Sequence, residues 1–122
     1  MIYLTEEIVK NEVYKGYTIV VRRLGYKNVP DSLRFCLFDY FCGYIEVPRN
    51  HKYYFKSYYE IEDEINVHGG LTFSGYIEDY KGIKSAYYIG FDCGHYGDRP
   101  DLQDEEYTLK ECKKVVEQLK GV

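Results

Sequence analysis

The sequence predicts an α+β fold: a mostly antiparallel β-sheet covered by one C-terminal α-helix. Three features predict it. Short runs in which apolar and polar residues alternate recur between residues 8 and 93, the period of a half-buried strand. Glycine, asparagine and proline punctuate those runs as turn residues do. One stretch near the C-terminus, "TLKECKKVVEQLKG", repeats apolar residues at helical spacing instead. The chain has 122 residues, enough for one domain over 1–122 with a single core, and no repeat or linker divides it.

The elements follow in order. Residues 8–24 read as a β-hairpin, with "IVKNEVY" and "YTIVVRRL" flanking Lys15-Gly16. In the second arm Tyr17, Ile19 and Val21 alternate with Thr18, Val20 and Arg22. The stretch 25–31, "GYKNVPD", reads as a loop. The stretch 33–48, "LRFCLFDYFCGYIEVP", reads as strand-rich, and Gly43 within it marks a bulge or a close backbone approach. "RNHKYYFKSYYE" reads as an exposed turn leading into a short helical or irregular piece. "EIEDEINV" reads as a strand with Ile61, Ile65 and Val67 on one face and Glu62, Glu64 and Asn66 on the other. "LTFSGYI" and "SAYYIGFDC" are two further strands, joined by the polar "EDYKGIK". In the final helix Thr108 and Glu111 fit a capping box at the start. Leu109, Cys112, Val116 and Leu119 form the buried stripe, and Gly121 is the stop.

Net charge is −4. A binder of long nucleic acid or of anionic membrane wants a basic surface, so both are disfavoured, whereas a small anionic ligand held by a few local donors is not. No apolar run is long enough to span a bilayer, and the N-terminus lacks a signal-peptide core, so the expected location is cytoplasmic. Cys36, Cys42, Cys93 and Cys112 include no pair at two-residue spacing and read as mostly buried free thiols. Tyrosine supplies 16 of the 22 aromatics, which suits a sheet surface, a subunit interface or a base-stacking pocket.

Two segments carry the candidate chemistry. "NVHGGLTFSG" places His68, Gly69, Gly70 and Thr72 beside a strand, and "IGFDCGHYGD" packs Asp92, Cys93, His95 and Asp98 among glycines. Glycines in tight turns permit positive φ, and they also let a ligand approach backbone amides. Carboxylates accept from ribose hydroxyls or amines, and imidazoles donate to phosphate. Arg99, which follows the second segment, and Arg22 and Arg23 at the end of the hairpin are the candidate anion clamps. Three catalytic or metal readings stand beside this one. Cys93 with His68 or His95 is a nucleophile–base pair lacking a helix N-terminus to activate the thiol. Cys42, Cys93, His68 and His95 are zinc-type ligands at no common zinc spacing. Asp92 and Asp98 are a carboxylate pair of the kind that cleaves glycosides.

The order "FDYFCGYIEVPRNH", "INVHGGLTFSG", "YYIGFDCGHYGD" and a terminal helix resembles a family of small phage-encoded proteins, the Thoeris anti-defence sponges, over about residues 35–120. The resemblance implies sequestration. In that defence a TIR-domain enzyme makes a cyclic ADP-ribose isomer that activates an NAD-depleting partner, and the sponge binds the signal without cleaving it. It implies no enzyme activity, no cofactor and no metal. The signal would be glycocyclic ADP-ribose or, as in some relatives, a cyclic oligonucleotide. The protein would be a homodimer or larger homo-oligomer in the cytoplasm of the infected bacterial host. His68, Gly69, Gly70, Thr72, Asp92, His95, Asp98, Arg99, Arg22 and Arg23 are the residues expected around the ligand. The alternatives are a tyrosine-rich protein-interaction module and a small hydrolase built on Cys93 or the Asp92/Asp98 pair.

Overall fold

The computed structural model describes residues 1–122 as a five-stranded antiparallel sheet with a C-terminal helix packed on one face. The strands are β1 (Tyr3–Tyr14), β2 (Tyr17–Lys27), β3 (Tyr40–Glu46), β4 (Phe73–Ile77) and β5 (Ala86–Asp92). Their order across the sheet is β1-β2-β3-β5-β4. A one-turn helix α1 (Tyr58–Ile61) lies between β3 and β4, and the long helix α2 (Glu105–Lys120) follows β5. No helix is long and apolar enough to cross a membrane.

The β1–β2 hairpin turns at Lys15 and Gly16, both with positive φ (49° and 88°), the geometry that matches strand twist in a two-residue turn. β2 runs on to Lys27, through the first part of the expected loop, because Tyr3, Leu4 and Thr5 of β1 pair with Lys27, Tyr26 and Gly25. The expected strand from residue 33 starts only at Tyr40. A 3₁₀ turn at Asp31–Leu33 and an exposed loop precede it.

The core lies mainly between sheet and helix. Ile19, Val21, Ile45, Ile89 and Phe91 face Leu109, Cys112, Val115, Val116 and Leu119. Gly43 is a close approach, not a bulge: a β-carbon there would stand 2.5 Å from the Phe91 ring and 2.6 Å from Cys112 Sγ. The bulge lies in β1, between Ile8 and Lys10. A smaller cluster of Val20, Cys42, Tyr44, Ile83 and Tyr88 covers the other face.

Two further expectations are corrected. Residues 60–67 form no strand, although Ile61, Ile65 and Val67 are all buried. The backbone there is held by local turn bonds, such as Glu64 N–H to Ile61 O at 2.9 Å, and at its end by α2 instead of by a ladder. Asn66 N–H donates to Gln118 Oε1 (2.7 Å), Gln118 Nε2 donates to Asn66 O (2.7 Å), and His68 N–H donates to Glu111 Oε1 (2.8 Å). The α2 cap is Asp104, which accepts from Tyr107 N–H at 2.9 Å, with Glu105 and Glu106 in the favourable acidic first turn. Thr108 is fully buried within the helix, and Glu111 is committed to His68, so neither caps.

Candidate functional site

The two glycine-histidine segments meet. β5 carries Asp92 to the sheet end, and Cys93 N–H still bonds Phe41 O at 2.9 Å. The chain then turns over 94–98. Asp98 Oδ2 accepts from the His95 amide at 2.9 Å, and Asp98 N–H donates to His95 O at 2.9 Å. From the other segment, His68 Nε2 lies 2.9 Å from both Asp98 oxygens, and its Nδ1 lies 2.8 Å from the Tyr107 hydroxyl. With Asp98 ionised, one proton arrangement suits His68 and its two partners: Tyr107 O–H donates to Nδ1 and Nε2–H donates to the carboxylate. Burial alone would raise the Asp98 carboxyl pKa; the bonds from His68 and the His95 amide outweigh it and hold the group below its ordinary range.

Gly69 makes this meeting possible. It has φ +67°, and a β-carbon on it would stand 2.7 Å from His95 Nδ1 and 2.9 Å from Nε2. Gly70 (φ +82°) closes the turn through its amide, which donates to Val67 O at 2.9 Å. Gly94 N–H donates to Asp92 Oδ1 at 3.0 Å. These two amides are occupied by the fold. Thr72 Oγ1 donates to Asp92 Oδ2 at 3.1 Å.

The second segment forms one wall of a cleft of about 630 Å³, within the range of small-molecule sites. His95, Asp98 and Arg99 line it, facing Tyr26, Phe35, Phe38, Tyr40 and Asp39. Tyr96 stands fully exposed at its rim. His68 and Gly69 support this wall from behind. Arg99 is exposed and forks onto Asp101 (Nε–Oδ1 3.0 Å, Nη2–Oδ2 2.6 Å). Arg23 pairs with Asp39 and so anchors a lining residue (Nε–Oδ2 2.9 Å). Arg22 is not among the lining residues. It lies on the sheet face away from the helix, beside a separate hollow, bonded to Glu6 (2.7 Å) and the Tyr44 hydroxyl.

The cysteines are all free, with Cys36 exposed and the other three buried. Burial pushes the Cys93 thiol up to about 12 and the Cys42 thiol to about 11, so both stay protonated and unreactive near neutrality. Cys93 Sγ contacts Thr108 Oγ1 at 3.6 Å, not an imidazole. The lowered pKa of Asp98 makes it a poor general acid, so in an Asp92/Asp98 pair it would fill only the ionised role.

Sequence reasoning did not reach Asp39, the aromatic wall or Tyr107. Tyrosine is spread along the whole chain, so no local excess singled out these residues. The run Phe35-x-x-Phe38-x-Tyr40 beside Asp39 was the available signal. No family model, curated protein or solved structure matches this chain.

Proposed function

We propose that the protein captures a cyclic ADP-ribose isomer, glycocyclic ADP-ribose or a close relative, in this cleft and holds it intact. That is the action of a phage anti-defence sponge in the cytoplasm of an infected bacterium. The observation that carries the reading is the joining of an aromatic wall to the Asp98/His95/Arg99 wall in one cleft of ligand size. Aromatic rings stack on adenine. Asp39 and Asp98 accept from ribose hydroxyls or the exocyclic amine, and Arg99 takes the diphosphate.

The electrostatics require local donors, because the chain is net −4 and the ligand is anionic. Arg99 reaches the diphosphate by exchanging its exposed partner Asp101. An exposed pair such as Arg99–Asp101 contributes only about 0–1 kcal/mol. A diphosphate offers the same guanidinium more negative charge and more acceptor oxygens than the Asp101 carboxylate. The proposal includes assembly as a homodimer or larger oligomer, which light scattering reads as a mass of at least twice the 14.5 kDa chain.

The test is to incubate protein with the cyclic isomer, remove free ligand, and heat-denature the complex. Intact signal should be released. Linear ADP-ribose would mean catalysis and overturn the sponge reading. Absence of binding would favour a protein-interaction surface, a second reading that the exposed Phe35, Phe38, Tyr96 and Leu102 support.

A further inference from the structure

We infer that His68, His95 and Asp98 form a binding site for a divalent transition-metal ion of the zinc, cobalt and iron(II) class at the base of the cleft. One potential ligand atom from each residue lies within 4.8 Å of the others. An ion bonded at about 2.0–2.1 Å holds neighbouring ligands about 2.9 Å apart in octahedral and about 3.3 Å apart in tetrahedral geometry. Asp98 Oδ2 is 2.9 Å from His68 Nε2 and 3.4 Å from His95 Nδ1. These two edges already have the spacing that an ion imposes.

Two further observations point to a cation. His95 Nδ1 is buried and has no hydrogen-bond partner, yet it faces two carboxylates, Asp98 at 3.4 Å and Asp92 at 3.6 Å. A buried polar atom without a partner is costly, and an ion seated among these groups satisfies all of them. The Tyr107 hydroxyl already fixes the outer nitrogen of His68, the arrangement that orients a metal-bound imidazole. On binding, His68 changes tautomer: the Nε2 lone pair takes the ion and Nδ1–H donates to the Tyr107 oxygen. The imidazole stays neutral, and the charge is balanced in part by Asp98.

Two imidazoles and one carboxylate favour a transition metal over calcium or magnesium, which prefer oxygen throughout. The coordination positions left over would take water or an oxygen of a ligand, since His95 and Asp98 also line the cleft. This inference does not rest on nucleotide capture, and its test uses metal alone.

Chelator-stripped full-length protein carrying Cys36→Ser, which removes the exposed thiol, would be titrated with Co²⁺ and followed by visible d–d absorption. Zn²⁺ would be titrated by calorimetry. The expected result is one ion per chain, displacement of Co²⁺ by Zn²⁺, and a raised thermal midpoint. His68→Ala and Asp98→Asn should lose the saturable signal. His51→Ala should keep it, since His51 bonds Leu119 O elsewhere. Tyr107→Phe spares the three ligands and guards against misfolded variants; it should weaken binding about tenfold to a hundredfold. Absence of saturable binding in the parent, or unchanged affinity in both His68→Ala and Tyr107→Phe, would overturn the inference.

Discussion

Replacing Gly69 and Gly70 by alanine, one at a time, isolates the contact that joins the two segments. Both glycines have positive φ, +67° and +82°, so alanine at either site carries a left-handed backbone cost of about 1–2 kcal/mol. At Gly70 that is the whole effect, because a β-carbon there meets nothing within 4 Å. At Gly69 the new methyl stands within 2.9 Å of His95 Nε2 and closer to Nδ1, so the ring must leave. Turning the ring of this half-exposed side chain off its preferred rotamer adds about 0.5–1.5 kcal/mol. Gly69→Ala should therefore lose about 1.5–3.5 kcal/mol and Gly70→Ala about 1–2 kcal/mol. Urea unfolding with a common m-value measures the difference, and the His95 imidazole resonances report the displacement. Equal losses from both variants, with His95 unmoved, would refute this account of why Gly69 is a glycine.

Arg22→Ala should leave ligand capture unchanged and cost about 1–3 kcal/mol in chemical denaturation, since Glu6 and Tyr44 lose a half-buried partner; a loss of capture with the fold intact would place Arg22 in the site. Because its folded pKa lies below the ordinary 3.8, Asp98 stabilises the protein fully above its unfolded pKa, and that contribution is lost as pH falls through the folded value. Unfolding free energy should thus drop below about pH 4, less steeply in Asp98→Asn than in the parent; parallel curves would contradict the assignment. A disulfide reagent should modify one thiol of the four in the native protein and all four in denaturant, with Cys36→Ser removing the native reaction.

What was legible in the sequence was local. The hairpin around Lys15-Gly16 and the apolar stripe of α2 depend on periods and turn residues a few positions apart, and both stand in the structure. The 60–67 stretch has the alternation of a strand and the burial of one, but its backbone bonds are local turns and, at Asn66, the Gln118 side chain 52 residues away on α2. The helix start was misplaced because Asp104-Glu105-Glu106 precedes the apolar stripe and looks like loop. In the site, residue type singled out His68, His95 and Asp98, while their contact through Gly69 depends on three-dimensional closure. Alternation along β2 puts Arg22 and the cleft residue Tyr26 on one sheet face and Arg23 on the other, so what sets Arg22 apart from the cleft is its commitment to Glu6 and the Tyr44 hydroxyl beside a separate hollow.

The clasp between residues 66–68 and α2 also governs when the site exists during synthesis. Its bonds join residues 52, 43 and 39 positions apart in the chain, to Gln118, Glu111 and Tyr107. Closing such spans costs entropy before any contact rewards it. On a translating ribosome, strands β1 to β5 can emerge and pair while the His68 turn still lacks its anchor. The His68 turn gains its anchor only once α2 has emerged and seated on the sheet. In a folded chain, a fluctuation that lifts α2 breaks this clasp and at the same time uncovers Ile19 and Val21 of the hairpin, so the turn and the core open together.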